Sequence, residues 1–213
     1  MLIIQCFITL YKTKNIMKEF WDQRFSIDEY VYGQHPNTFI AKFIDNNSPG
    51  YGFFPGEGEG RNAVYAALNG WSADCFDFST EGKKKALQLA NKYEVSINYE
   101  VGDITLHELS DNQYDAVFLT FLHLHQSLRK QAHHKLINSL KPGGHIVMEV
   151  FDKKQIERNT GGPKSIEMLY SPDELKEDFQ DIHIIKNDMD LRYIEEGSHH
   201  TGEAYTIQFI ARK

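Results

Sequence analysis

Five residues, Gly56-Glu57-Gly58-Glu59-Gly60, carry the densest chemical signal in the chain. They follow an apolar run, Tyr51 to Phe54, and open onto helix-like sequence, Arg61 to Leu68. A strand that turns through glycines into a helix lets a ligand approach the backbone closely, because glycine has no Cβ. The helix N-terminus beyond the turn offers free N–H groups to an anion. Asp77 closes a second apolar run that begins at Trp71. It lies roughly 20 residues after the first loop glycine, where a βαβ unit sets a carboxylate on a ribose hydroxyl pair. Together these residues imply an adenosine-bearing cofactor held by the loop and by Asp77.

The elements that must position them follow from periodicity. Lys83 to Tyr93 is helical in propensity, and Val95 to Val101 alternates like a strand that ends at Gly102-Asp103. Tyr114 to Phe121 and His145 to Phe151 are nearly continuous apolar runs, as buried parallel strands are. A helix over Gln126 to Leu140 separates them, and Pro142-Gly143-Gly144 reads as a turn. Ser171 before Pro172 is an N-cap signal for a short helix. Two final strands, about Ile182 to Ile194 and Ala204 to Ala211, have only a short loop between them. This alternation predicts an α/β, doubly wound sheet, and the hairpin predicts an antiparallel last strand.

The chain has 213 residues, enough for one domain with a sizeable core. Its net charge of −7 argues against nucleic acid as a partner, since phosphate binding needs a basic face. Cys6 and Cys75 form no CxxC pair, so they read as free thiols in a reducing, cytoplasmic setting. The apolar stretch Met1 to Leu10 is too short to span a membrane and lacks signal-peptide features. Residues 1–16 are expected to be an N-terminal extension upstream of a start at Met17. Residues 17–213 are expected to form the single domain, opening with lid helices over 17–48.

From about Met17 onward the chain resembles the class I S-adenosylmethionine-dependent methyltransferases. It is most similar to the small bacterial group around tellurite-resistance and thiopurine methyltransferases. The stretches that carry the resemblance are Phe20 to Phe25, Tyr30 to Gly33, Gly56 to Ala63, Asp77 to Ser79, Gly102-Asp103, Tyr114-Asp115, His123-Leu124, Leu140 to Gly144, Gly161 to Pro163, and Glu196-Gly197 with His200 and Gly202. The resemblance implies a seven-stranded, mostly parallel sheet of order 3-2-1-4-5-7-6. It also implies S-adenosyl-L-methionine as cofactor and a small-molecule methyl acceptor.

On that basis the loop Gly56, Glu57, Gly58 and Gly60 holds the methionine moiety, and Asp77 with Phe78 holds the ribose. Asp103 takes the adenine amino group with Ile104 behind the ring, and Phe121 closes over the methionine end. One position departs from the family: Phe54 stands where the first strand usually ends in an acid, so Glu57 or Glu59 must meet the cofactor's ammonium. On the acceptor side the candidates are Tyr30, Tyr32, His35, His123, His125, Arg129, Arg192 and His200. His123, Arg192 and His200 are taken as the catalytic set. A soft anion such as a thiolate or chalcogen oxyanion would need a cation or donor to hold it, and little base catalysis.

Two other readings stand beside this one. Gly58-x-Gly60-x-x-Ala63 fits a dinucleotide fingerprint, which would make the chain an NAD-dependent oxidoreductase. Glu57 and Glu59 argue against it, because they would face a negatively charged pyrophosphate. The Phe54 departure also allows a decayed, non-catalytic cofactor-binding protein. No metal is expected: the ten histidines lack a clustered Cys or carboxylate partner.

Overall fold

Consecutive residues of a strand point to opposite faces of a sheet, and here both faces are apolar. Phe53 joins one hydrophobic cluster and its neighbour Phe54 the other. A strand that is apolar on both sides must be covered twice, which is the condition for a parallel sheet between two helical layers.

The computed structural model describes residues 16–213. The expected extension therefore lies outside the described residues except for Ile16. The elements run α1 (residues 16–25), α2 (Thr38–Asn46), β1 (Tyr51–Pro55), α3 (Arg61–Leu68), β2 (Ser72–Asp77), α4 (Thr80–Lys92), β3 (Asn98–Val101), β4 (Tyr114–Thr120), α5 (Gln126–Ser139), β5 (Leu140–Phe151), α6 (Pro172–Asp178), β6 (His183–Glu195) and β7 (Thr201–Arg212). Two short 3-10 turns, Lys153–Glu157 and Ile166–Met168, lie between β5 and α6.

The sheet order is β3-β2-β1-β4-β5-β7-β6. The pairings β1–β2, β2–β3, β1–β4 and β4–β5 are parallel, and β7 runs antiparallel to both β5 and β6. This is the order that the family resemblance implies and the antiparallel strand that the hairpin predicts. One face is covered by α2, α3 and α4, through Ile40, Ile44, Val64 and Leu89. The other is covered by α5 and α6, through Leu136, Ile137 and Leu175. The strand order reverses between the parallel β1 and β4, so a crevice opens at the carboxyl ends of those strands.

Local chemistry sets the helix starts. The Asn37 side chain accepts from Phe39 N and Ile40 N and so caps α2. Ser79 caps α4 through Gly82 N. Ser171 and Glu174 form a capping box on α6, which carries Pro172 in its first turn.

Three expectations shift. Strand β3 begins at Asn98, because Glu94 adopts a left-handed φ of 57° and the chain runs irregularly before it. Pro142 to Gly144 is a bulge within β5 rather than a turn before it: pairing with β4 jumps from Tyr114↔Leu140 to Ala116↔His145. Of the segment 17–48, α1 and its following loop reach the crevice, whereas α2 buries Phe39, Ile40, Phe43 and Ile44 in the core.

Candidate functional site

The crevice is a cavity of about 1740 Å³ roofed by α1 and the loop through Tyr32 and Gly33. Single-ligand sites are roughly 300–1,000 Å³, so the space is large enough for two ligands side by side.

Its floor is the glycine loop. Gly60 is the N-cap of α3, in a left-handed conformation (φ 90°) with no side chain to cap the helix. A Cβ there would fall 2.6 Å from the Ala86 Cβ, so only glycine lets α3 and α4 meet at this point. Glu57 supplies the missing cap: its Oε1 accepts from Asn62 N and Ala63 N, both at 2.8 Å. Burial pushes the Glu57 carboxyl up to about 7, against the pull of those N–H donors and Arg61. Glu59 is spent differently. It pairs with Lys85 at 2.6 Å and accepts from Tyr32 N at 3.3 Å.

Asp77 ends β2 and ties the loop down. Its Oδ2 accepts from Gly58 N at 3.0 Å and its Oδ1 from Ser79 N at 2.9 Å. Burial raises its carboxyl to about 6, partly offset by those two N–H groups. Tyr99 donates to Gly58 O at 2.7 Å and supports the loop from below. Asp103, after β3, accepts from Thr105 N and the Thr105 hydroxyl through Oδ1. Ile104 beside it is buried.

The expected cofactor residues thus converge. Gly56, Glu57, Gly58, Asp77, Phe78, Asp103, Ile104 and Phe121 all line the cavity. Gly60 stands behind the wall, as the hinge of α3. Phe121 sits after β4 at φ 51° and stacks on Phe151 at 4.5 Å. Phe54 points into the core and stacks on Phe118 at 4.7 Å, so the residue in the acid's place is a packing residue.

The expected catalytic set divides. His200 lines the cavity just before β7, between Tyr32, Phe121 and Phe151. Its Nδ1 is buried and has no hydrogen-bond partner among the described residues. Burial, with Arg61 and His123 nearby, drives the imidazole down to about 3, so it is neutral. His123 also lines the cavity, but Met168 O and Phe151 N occupy its two ring nitrogens, at 2.9 and 3.4 Å. Arg192 does not line the cavity. Its guanidinium is held bidentate by the fully buried Glu149, at 2.8 and 2.6 Å.

Among the other acceptor candidates, Tyr32 and His125 line the cavity. Tyr30 donates instead to Lys85 O, His35 is exposed, and Arg129 is buried against Glu174 and Leu169 O. Sequence reasoning missed Trp21 and Arg24, which line the roof, and Asp22, which fastens it. Asp22 Oδ1 accepts from Thr80 N and the Ser79 hydroxyl, both at 2.7 Å, and so caps α4 from α1. The motif Phe20 to Phe25 was their only signal.

A doubly wound sheet of this order, with carboxylates after β1, β2 and β3 facing one crevice, defines the class I nucleoside-cofactor fold. Residues 55–148, a little under half of the chain, match a family described as a methyltransferase domain. Residues 55–148 thus carry a methyltransferase domain, set on the fold shared by class I, S-adenosyl-L-methionine-dependent methyltransferases. Solved structures share the fold at low identity. TehB from Haemophilus influenzae is 16% identical with a TM-score of 0.70, covering 92% of this chain and 66% of that one. A SAM-dependent methyltransferase from Aquifex aeolicus is 20% identical with a TM-score of 0.58, covering 81% and 88%. A structure described as the conversion of a disulfide bond into a thioacetal group during echinomycin biosynthesis is 16% identical with a TM-score of 0.74, covering 92% of each chain. No curated protein matches the sequence. No helix among the described residues is long and apolar enough to cross a membrane.

Proposed function

We propose that the chain transfers the methyl group of S-adenosylmethionine to a small molecule bearing a soft anionic nucleophile, such as a thiolate or chalcogen oxyanion, in the cytoplasm. The observation that carries this reading is the division of charge around the cavity. Its four carboxylates, Glu57, Glu59, Asp77 and Asp103, all sit after β1, β2 and β3. Arg24 and Lys164 line it from α1 and the loop after β5, beside His199 and the neutral His200 of the β6–β7 turn, whereas Arg61 on the carboxylate side is paired with Glu196. A cationic, ribose-bearing ligand suits the first group and an anion the second.

The cofactor supplies an activated methyl group on a sulfonium. The residues then have to align the partners and exclude water, which is worth several kcal/mol when the reacting atoms are held close. Asp77 is the ribose acceptor, with one lone pair of each oxygen used by the loop. Glu57 is the better ammonium partner, because Lys85 already neutralises Glu59. A thiolate needs no proton removed, which fits the neutral His200 as a hydrogen-bonding wall rather than an essential base.

Incubation with S-adenosylmethionine and 4-nitrothiophenolate tests this reading. The expected result is equimolar methyl thioether and S-adenosylhomocysteine. Absence of turnover on that thiolate, on hydrosulfide and on selenite would reject the soft-anion reading. Asp77→Ala is expected to weaken binding of S-adenosylhomocysteine by about 1.5–3 kcal/mol, the range for a hydrogen bond to a charged group. Unchanged affinity by calorimetry would reject the ribose assignment.

A further inference from the structure

Tyr32 lies in the loop between α1 and α2 and lines the cavity. Its phenol oxygen accepts a hydrogen bond from Arg24 Nη1 at 3.0 Å. Among the described residues nothing accepts the phenol's own proton, so its O–H is left to donate. Burial holds the phenol above its usual range, so that proton stays on at neutral pH. The ring centroid is 4.6 Å from that of His200, whose buried Nδ1 is also unpartnered.

Arg24 completes the arrangement. Its guanidinium lies 4.6 Å over the Phe20 ring and 5.3 Å over Trp21. No carboxylate pairs with it among the described residues. Its charge therefore acts through the phenol: a guanidinium donating to the oxygen makes the remaining O–H a stronger donor. The Tyr32 backbone is clamped to the cofactor loop, its N–H on Glu59 Oε2 at 3.3 Å and its C=O on Arg61 Nη1 at 3.2 Å.

Resting on the soft-anion reading above, we propose that Tyr32, backed by Arg24, is the acceptor anchor and sets specificity for an anionic nucleophile: the phenol O–H donates to the anionic head while Arg24 stays one residue behind. The physical advantage is in the charge balance of the step. The acceptor sulfur forms the new S–C bond, the C–S bond of the sulfonium breaks, and its electron pair stays on the departing sulfur. A negative and a positive charge both disappear, so a guanidinium paired directly with the thiolate would stabilise the ground state more than the transition state. A neutral donor holds the anion without quenching its nucleophilicity to the same degree.

The test uses the full chain saturated with S-adenosylhomocysteine. Two probes are titrated: 4-nitrothiophenolate, which is anionic at neutral pH, and its neutral methyl thioether. Tyr32→Phe keeps the ring and its packing on Trp21 and His200 and deletes only the hydroxyl. The expected result is a loss of tenfold or more for the thiolate, the size of a hydrogen bond to a charged group, with thioether and S-adenosylhomocysteine affinities within about twofold. Arg24→Met is expected to reproduce most of the thiolate loss, and Arg24→Lys to restore part of it. Equal thiolate binding by the wild-type chain and Tyr32→Phe would overturn the anchor while leaving the soft-anion reading intact. An equal loss for thiolate and thioether would also overturn it, since that signals packing alone. Failure of the wild-type chain to bind the thiolate would reject both the reading and the anchor.

Discussion

At Glu57 and Asp77 burial works against the charge that cofactor binding needs. Both carboxyls are raised, to about 7 and about 6. The folded chain thus holds these two protons more tightly than the unfolded chain does. Their contribution to stability is greatest at low pH and falls as pH rises through about 6 and then about 7. A bound ammonium reverses the preference by favouring the ionised Glu57, and an ionised Asp77 is the better ribose acceptor. Cofactor affinity is therefore expected to fall as pH drops from 7.5 to 5.5, by about tenfold or more. An α-amino group loses its proton only near 7.7–8.0, so the protein carries most of this change. Calorimetry with S-adenosylhomocysteine across that window checks it. Glu57→Gln is expected to remove the upper step and leave the lower one, and a flat profile in the wild-type chain would reject the linkage.

Two of the contacts that fasten the roof have opposite character. Asp22 of α1 caps the N-terminus of α4, where an anion is favoured by free N–H groups and by the helix dipole. Its carboxyl is held below the usual range, burial being outweighed by Lys18 and the α4 N-terminus. Asp22→Ala is expected to cost about 1 kcal/mol, as cap deletions do, and to speed proteolysis of the loop between α1 and α2. Unaltered cleavage would show that the cap is not what holds α1, leaving its aromatic face and the Lys18–Thr80 contact. At the other side of the roof Gly197, at φ 77°, lets the β6–β7 turn press on the lid loop. A Cβ there would run into Val31 O and lie 2.7 Å from Tyr32 Cα. Gly197→Ala is expected to separate His200 from Tyr32. Turnover on the thiolate should fall tenfold or more, with little change in S-adenosylhomocysteine binding, which calorimetry beside the turnover assay reads directly.

Across the whole molecule one buried polar network joins the layers under the roof. Glu149 of β5 accepts from Arg192 of β6, from Asn37 Nδ2 at 2.6 Å and from the Thr206 hydroxyl of β7 at 2.9 Å. Asn37 also donates to Glu196 Oε1, and Glu196 pairs with Arg61 of α3 at 2.6 Å. Two carboxylates face two guanidiniums, so the charge is balanced only while every member is present. Glu149→Ala leaves Arg192 only the longer contact with Glu196, at 3.6 Å, and is expected to cost about 3–5 kcal/mol, as breaking buried ion pairs does. Urea unfolding measures it, and a loss under about 1 kcal/mol would show that water reaches the site and compensates.

Local pattern determined much of this protein. The period-2 and continuous apolar runs placed the strands, and the glycines with their flanking helix signals placed the loop. The topology that follows puts strand ends in one crevice, so Asp77 and Asp103 were legible as cavity residues before any contact was known. What the sequence could not decide depends on partners far apart in the chain. Asp22 meets Ser79 across 57 positions, and Asn37 meets Glu149 across 112. Arg192 is a plausible anion ligand by residue type; a buried carboxylate on the neighbouring element claims it instead. Phe54 looks like a damaged acid until its ring is seen against Phe118, and Pro142 to Gly144 looks like a turn until β4 is seen to resume pairing beyond it. These outcomes are set by burial and charge compensation between distant elements, which leave no periodic trace along the chain.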